Sequence, residues 1–273
     1  GSCVGLATSS KKWKKNNTKL ILLPQAFGPF TTNKIKKAMC TIIENSDLIF
    51  ARESVSYQHL IDLVGERDNI KLAPDFTNLI AGIVPESFDK LKNRICFIPN
   101  YRMVDKTEKV QSEAYLPFMI ESMKYVLKKG GKPFILVHEG EDDLKLAMQI
   151  QDAIDGEITI IKESDPLKIK GIIGVSDAVI GSRFHGLASA LSQGVPALAT
   201  GWSHKYQLLF DDYGFSEGLL DILISKEELY LKLDLIIDSA SKSTIKEKLN
   251  EKSEILKILT EKMWQDVFLE IEG

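Results

Sequence analysis

Short apolar runs alternate with longer amphipathic stretches along most of the chain. Residues 19–23 (KLILL), 47–50 (DLIF), 70–73 (IKLA), 94–98 (RICFI), 133–137 (PFILV), 158–161 (ITII), 178–180 (AVI) and 195–199 (VPALA) are runs of this kind. Apolar residues stand next to one another within them rather than every second position. That is the pattern of parallel strands covered on both faces. Between them, apolar residues recur at helical spacing. Ile35, Ala38, Met39, Ile42 and Ile43 predict a helix over 33–45, with Thr32 as its cap. A second helix begins at Ser54 or Ser56 and stops at Gly65; further helices are predicted over 115–129, 142–154, 165–175 and 187–193. Helices over 206–213, 222–236 and 243–271 complete the series. Residues 3–7 read as a strand end, and 9–18 as a solvated, lysine-rich loop.

Strand–helix alternation predicts an α/β fold with parallel sheets. The pattern breaks near 80–93, where Gly82, Pro85, Ser87, Lys90 and Lys92 interrupt it, and resumes afterwards. Two Rossmann-like domains are therefore expected, one over 1–88 and one over 89–240. A C-terminal helix over 241–273 is expected to pack back on the first.

Composition narrows the class. In 273 residues, 44% are hydrophobic and 27% charged, as in a globular protein. The net charge of −3 and the scattered Lys and Arg argue against nucleic acid as a partner. Cys3, Cys40 and Cys96 are too few and too dispersed for a disulfide framework or a zinc site, which points to a reducing, cytoplasmic compartment. No signal peptide is evident, and Gly1-Ser2 resembles a cloning remnant. No G-x-G-x-x-G follows the first strands and no P-loop motif occurs, which disfavours dinucleotide enzymes and P-loop NTPases.

The densest chemistry lies at Gly181-Ser182-Arg183-Phe184-His185-Gly186, between a strand and a small-residue helix. A loop leaving a parallel strand and opening a helix offers backbone N–H groups and the helix dipole to an anion. Arg183 adds a fixed cation and His185 a group that moves protons near neutral pH. Other strand ends carry Arg52, Arg102 and Lys205. His138-Glu139-Gly140-Glu141-Asp142-Asp143 could in principle hold a divalent metal, but its acids also suit a helix N-terminus; the latter reading is preferred and no metal is expected.

The run V-I-G-S-R-F-H-G-L-A-S-A-L-S-Q-G-V-P-A resembles the signature of the polysaccharide pyruvyl transferase family. P-Q-A-F-G-P-F at 24–30, A-R-E-S-V-S at 51–56, L-A-P-D at 72–75, P-N-Y-R at 99–102 and the segment from Lys205 to Gly214 resemble further family blocks. The resemblance implies a GT-B-like arrangement of two domains facing a cleft. It implies transfer of pyruvate from phosphoenolpyruvate, as donor substrate and without a cofactor, to two hydroxyls of a surface-polysaccharide sugar, forming a ketal. It makes His185 and Arg183 the catalytic candidates. Arg52, Arg102, Ser182, Gly186 and Lys205 are donor-binding candidates. Gln25, Asp75 and His138 are candidates for the acceptor or the cleft, although Asp75 also reads as a loop-fixing residue. A lipid-linked acceptor would bring transient contact with the inner membrane face, for which the lysines at 11–15 are the one hint.

One departure stands out. Family chains begin with a strand and a G-N-x-G-D loop before the P-Q block, and that stretch is missing here, so the first domain is expected to be incomplete. Two alternatives remain open: a nucleotide-sugar glycosyltransferase of the same fold, and a non-catalytic carbohydrate-binding protein of a polysaccharide assembly pathway.

Overall fold

The computed structural model describes residues 3–86, 88, 92–201 and 203–272. Gly1 and Ser2, read above as a cloning remnant, and parts of the 80–93 segment lie outside them. The chain divides into two compact units. One takes in Gly1–Leu79 and Ile255–Gly273, the other Ile80–Glu254.

The first unit holds helix α1 (Cys3–Lys15), strand β1 (Ile21–Gln25), helix α2 (Asn33–Glu44), strand β2 (Leu48–Ala51), helix α3 (Ser54–Val64) and strand β3 (Ile70–Leu72). The strands form a parallel sheet in the order β1-β2-β3. Thr32 caps α2 as expected, its hydroxyl accepting from Ile35 N at 3.3 Å. Glu53 caps α3 by accepting from Ser56 N at 2.7 Å, and Gly65 ends it at φ 75°. Pro24 lies inside β1 instead of ending it; β1 is an edge strand with an irregular register between Leu22 and Gln25, where a missing N–H costs no ladder bond.

Residues 3–15 correct the sequence reading, being a helix rather than a strand end and loop. Ala7 packs into the cluster of Ala38, Met39, Ile42 and Ile43, with Leu6 and Cys3 beside it. Lys12, Lys14 and Lys15 fall in its last turn, where cations suit the dipole.

The second unit carries β4 (Ile95–Ile98), α4 (Arg102–Asp105), α5 (Lys109–Lys128), β5 (Pro133–Val137), α6 (Gly140–Asp152), β6 (Thr159–Lys162), α7 (Pro166–Gly174), β7 (Ala178–Gly181), α8 (Phe184–Leu191), β8 (Ala197–Thr200), α9 (His204–Asp212), β9 (Leu219–Leu220) and α10 (Lys226–Ile237). Its strands are all parallel, in the order β6-β5-β4-β7-β8-β9. All residues of β4, β5, β7 and β8 are buried, which explains their unbroken apolar runs. α5 starts at Lys109, six residues before the expected start, and runs through Pro117. Tyr115, Phe118 and Met119 are buried there, and that burial offsets the lost helical bond.

The expected boundaries move. The first unit ends at Leu79 rather than at residue 88, because the segment after it is fastened to α7. Ile83 N donates to Leu167 O at 2.8 Å, and a Cβ on Gly82 would stand 2.4 Å from Gly171 N. The last helix, α11 (Ser239–Glu272), belongs to the second unit up to Glu254 and to the first from Ile255. Ser253 donates to Ser192 O at 2.7 Å, whereas Met263 and Val267 pack on Leu48, Phe50 and Ala73.

Candidate functional site

Strand order reverses at one place in the second unit. From β4 the chain moves outward through β5 to β6, then returns to place β7 on the other side of β4. Connections above β4 and β7 therefore diverge and leave a crevice at their carboxyl ends, where open α/β sheets bind ligands. Asn100–Arg102 leave β4 there, and Ser182–His185 leave β7. Gly181 permits the close packing beneath, since a Cβ on it would stand 2.8 Å from Ile98 O.

Arg183 caps α8 without a side-chain cap bond. Its guanidinium reaches instead across to α6. Nε and Nη2 form a two-pronged pair with Asp143, at 2.8 and 2.7 Å. Nη1 bonds the Glu139 carboxylate. Asp143 is fully buried, and its Oδ1 also accepts from Tyr101 N at 2.9 Å. Three loops, after β4, β5 and β7, thus meet on one carboxylate. Arg183, the catalytic candidate of this loop, is held by two carboxylates, Asp143 and Glu139. This pairing gives Asp143 a role the sequence did not reveal. An acid in a helix first turn looks like dipole compensation, and its partner is 40 residues away. Among the described residues, no group of three or more His, Cys, Asp or Glu side chains is arranged to hold a metal ion.

Ser182 and Gly186, expected to touch donor, serve packing. Ser182 is fully buried. Its Oγ accepts from Tyr115 Oη at 3.1 Å and lies 2.7 Å from Thr200 Oγ1. Its carbonyl accepts from Asn100 Nδ2 at 2.7 Å and Tyr206 Oη at 2.9 Å. Burial pushes the Tyr115 phenol up to about 12, so it stays a neutral donor. Gly186 is buried too, and a Cβ there would stand 3.0 Å from Ile98 Cδ1 and 3.5 Å from His138 Cδ2.

His185 is exposed on the first turn of α8, its ring edge-on to Phe184 at 5.6 Å. Lys205 Nζ lies 5.0 Å from the centre of the Phe184 ring. His138 is partly buried at the end of β5. Burial first, then the positive fields of Arg183 and His185, lower its pKa to about 4, so it is neutral at pH 7. Arg183, His185, His138 and Lys205 therefore share one neighbourhood. Arg102 is exposed and pairs with Asp105 at 2.5 Å within α4.

Gln25, Arg52 and Asp75 form a separate group in the first unit, at the ends of its three strands. Arg52 N donates to Gln25 O at 3.0 Å, and Arg52 Nη1 lies 3.4 Å from Asp75 Oδ2. Asp75 fixes its own loop, Oδ1 accepting from Thr77 N at 3.0 Å and Thr77 Oγ1 at 2.7 Å. Gln25 is exposed. His59, which the sequence reading passed over, props the P-Q-A-F-G-P-F loop from below with Nδ1 3.0 Å from Phe27 O.

Comparison with solved structures places the fold. S. aureus MnaA, solved with UDP, superposes with a TM-score of 0.63 at 12% identity, over 100% of this chain and 80% of that one. Anabaena HepE, solved with UDP and glucose, gives 0.62 at 14% identity, over 97% and 76%. The GtfA/B complex gives 0.58 at 12%, over 96% and 54%. These similarities define a GT-B-like α/β fold. A search of characterised protein sequences returned no significant match. The sequence profile of polysaccharide pyruvyl transferases matches residues 2–204, which take in the P-Q, A-R-E, P-N-Y-R and S-R-F-H blocks and the strand ends that carry them. The chain belongs to the polysaccharide pyruvyl transferase family.

Proposed function

We propose that the protein transfers pyruvate from phosphoenolpyruvate to two hydroxyls of one sugar of a surface polysaccharide or its precursor. The observation that carries this reading is the meeting of Arg183, His185 and Lys205 at the carboxyl ends of the second unit's sheet, in a member of this family.

The donor carries a carboxylate and a phosphate, and cations must hold both. Asp143 locks the guanidinium plane of Arg183 through Nε and Nη2. Nη1 faces Glu139, whose side chain is 71% exposed. A donor anion can displace so exposed a carboxylate without disturbing the buried pair beneath. Lys205 and the opening turn of α8 add positive potential beside it.

In the reaction the methylene carbon of phosphoenolpyruvate gains a proton and the neighbouring carbon becomes electrophilic. One sugar hydroxyl adds there and loses its proton. The carbon–oxygen bond to phosphate breaks, the second hydroxyl adds to the same carbon and gives up its proton, which leaves with the phosphate, and the cyclic ketal is complete. His185, exposed on the first turn of α8, is the proton-transfer group. His138 is uncharged at pH 7 and suits a hydrogen bond to substrate rather than charge pairing. Arg52 and Gln25 of the first unit, and Arg102, are further contacts for donor or acceptor in this reading. A cytoplasmic reaction on a lipid-linked acceptor fits it; no helix among the described residues is long and apolar enough to cross a membrane.

A nucleotide-sugar glycosyltransferase is the second reading, favoured by the UDP and glucose bound to HepE. Incubation with phosphoenolpyruvate or with UDP-sugars, each with a panel of saccharides, separates the two. Inorganic phosphate released only with phosphoenolpyruvate supports the first. Release of UDP, with phosphoenolpyruvate untouched, refutes it.

A further inference from the structure

We infer that a cavity of about 340 Å³ beside this crevice, wholly within the second unit, receives the acceptor as an uncharged polyhydroxylated ring. It opens at the carboxyl ends of β8 and β9, between α4, the start of α5 and α9. Thr107, Gln111, Thr200, Gln207 and Asp221 give it polar walls, and Met103 and Leu219 an apolar one.

The lining selects the ligand class. No lysine or arginine lines it among the described residues, and Asp221 contributes a negative charge. A phosphate or carboxylate would be repelled there and would lose solvation without compensation. Thr107 Oγ1 donates to Met103 O, Thr200 Oγ1 lies against Ser182, Gln207 Nε2 donates to Asp211 and Asp221 Oδ1 accepts from Leu223 N. The Gln111 amide, the Gln207 amide oxygen and the second Asp221 oxygen remain for the donors and acceptors of vicinal sugar hydroxyls, while Met103 and Leu219 can cover the C–H face of a ring. Gln111 is half-buried, and its side-chain amide bonds no other described residue, so it is available to a ligand in the cavity. A ligand hydroxyl would satisfy it.

Position ties the cavity to the chemistry. Thr200 forms part of the wall, and its hydroxyl lies 2.7 Å from that of Ser182, the residue before Arg183. Met103 follows the loop whose Tyr101 amide is bound to Asp143. The cavity wall and the loop that carries Arg183 are thus joined through the Ser182–Thr200 contact. The assignment to an acceptor rests on the transferase reading; the assignment to a neutral saccharide rests on the cavity alone.

Saturation-transfer NMR on the full chain tests it, with the methyl glycosides of glucose, galactose and mannose as probes and the phosphorus linewidth of phosphoenolpyruvate followed in parallel. At least one glycoside is expected to show transfer. Its affinity should fall about tenfold in Gln111→Leu and in Asp221→Asn, the worth of one buried hydrogen bond, with donor broadening unchanged. Absence of transfer from all three glycosides, or transfer that persists in both variants, would overturn the proposal. Loss of donor broadening in Gln111→Leu would also overturn it, by placing the donor in the cavity. Glycoside binding that responds to the variants in a protein indifferent to phosphoenolpyruvate would support the cavity and sink the transferase reading instead.

Discussion

Arg183 and Asp143 face each other across the crevice, guanidinium to carboxylate, with two bonds of 2.8 and 2.7 Å and the acid fully buried. The pair joins the start of α8 to α6. Through Tyr101 N it also reaches the end of β4. Removing Arg183 leaves a buried carboxylate without its cation, and removing Asp143 leaves the guanidinium with the exposed Glu139 carboxylate in place of its two-pronged buried partner. Asp143→Ala is expected to lower unfolding free energy by ~3–5 kcal/mol, and adding Arg183→Met should restore part of it. Urea unfolding of the single and double variants measures this. A single variant as stable as the unaltered chain would show that the pair does not hold these loops.

Glu139 occupies the same guanidinium from the solvent side. In the proposed reaction it is the group that a donor at Arg183 displaces. Glu139→Gln removes the competing charge and should lower the KM for phosphoenolpyruvate several-fold, with stability altered by no more than about 0.5 kcal/mol. Steady-state kinetics at fixed acceptor decide it. A raised KM would mean that Glu139 assists binding instead of competing.

His138 predicts how stability depends on pH. Its native pKa of about 4 lies below the ordinary 6.5, chiefly through burial and then through Arg183 and His185. Above pH 6.5 both the native and the unfolded chain hold it neutral, and it costs nothing. As pH falls below that value the unfolded chain binds a proton that the native state refuses. Stability therefore declines between pH 6.5 and 4, by on the order of 3 kcal/mol in total at ~1.4 kcal/mol per pH unit. His138→Gln should flatten this part of the curve, and denaturant titrations at several pH values would show an unchanged slope if the account is wrong.

His185 should matter for turnover and not for folding. Its ring is exposed and lies edge-on to Phe184 at 5.6 Å. His185→Ala is expected to lower kcat by at least ~10², the usual worth of a placed proton-transfer group, with an unchanged melting temperature. Activity near that of the unaltered chain would remove His185 from the mechanism.

Much of the architecture was legible in the sequence because it depends on local pattern. The runs at 94–98, 133–137 and 178–180 are apolar without break because β4, β5 and β7 are buried on both faces. Thr32 and Gly65 announced the start of α2 and the end of α3 through their own backbone chemistry. α1 was not legible, since Ala7 and Ser10 are the residues it buries and neither is strongly apolar. β9 is two residues long, below what periodicity can register. At the site, the S-R-F-H block marked the loop, but no local signal told that Ser182 faces Tyr115 and Thr200, or that Asp143 waits for Arg183. Those relationships exist only once β5, β4, β7 and β8 are assembled in one sheet, and pairing across a sheet has no signature within any one strand.

The most direct test follows the labelled carbon of [2-¹³C]phosphoenolpyruvate by NMR during incubation of the full chain with saccharide acceptors, with released phosphate measured in the same tube. The enol signal should decay, a quaternary ketal carbon should appear in the saccharide, one phosphate should be released per ketal, and His185→Ala should stop all three. An enol signal that persists with every acceptor, in a protein that instead consumes a nucleotide sugar, would contradict the proposed transfer.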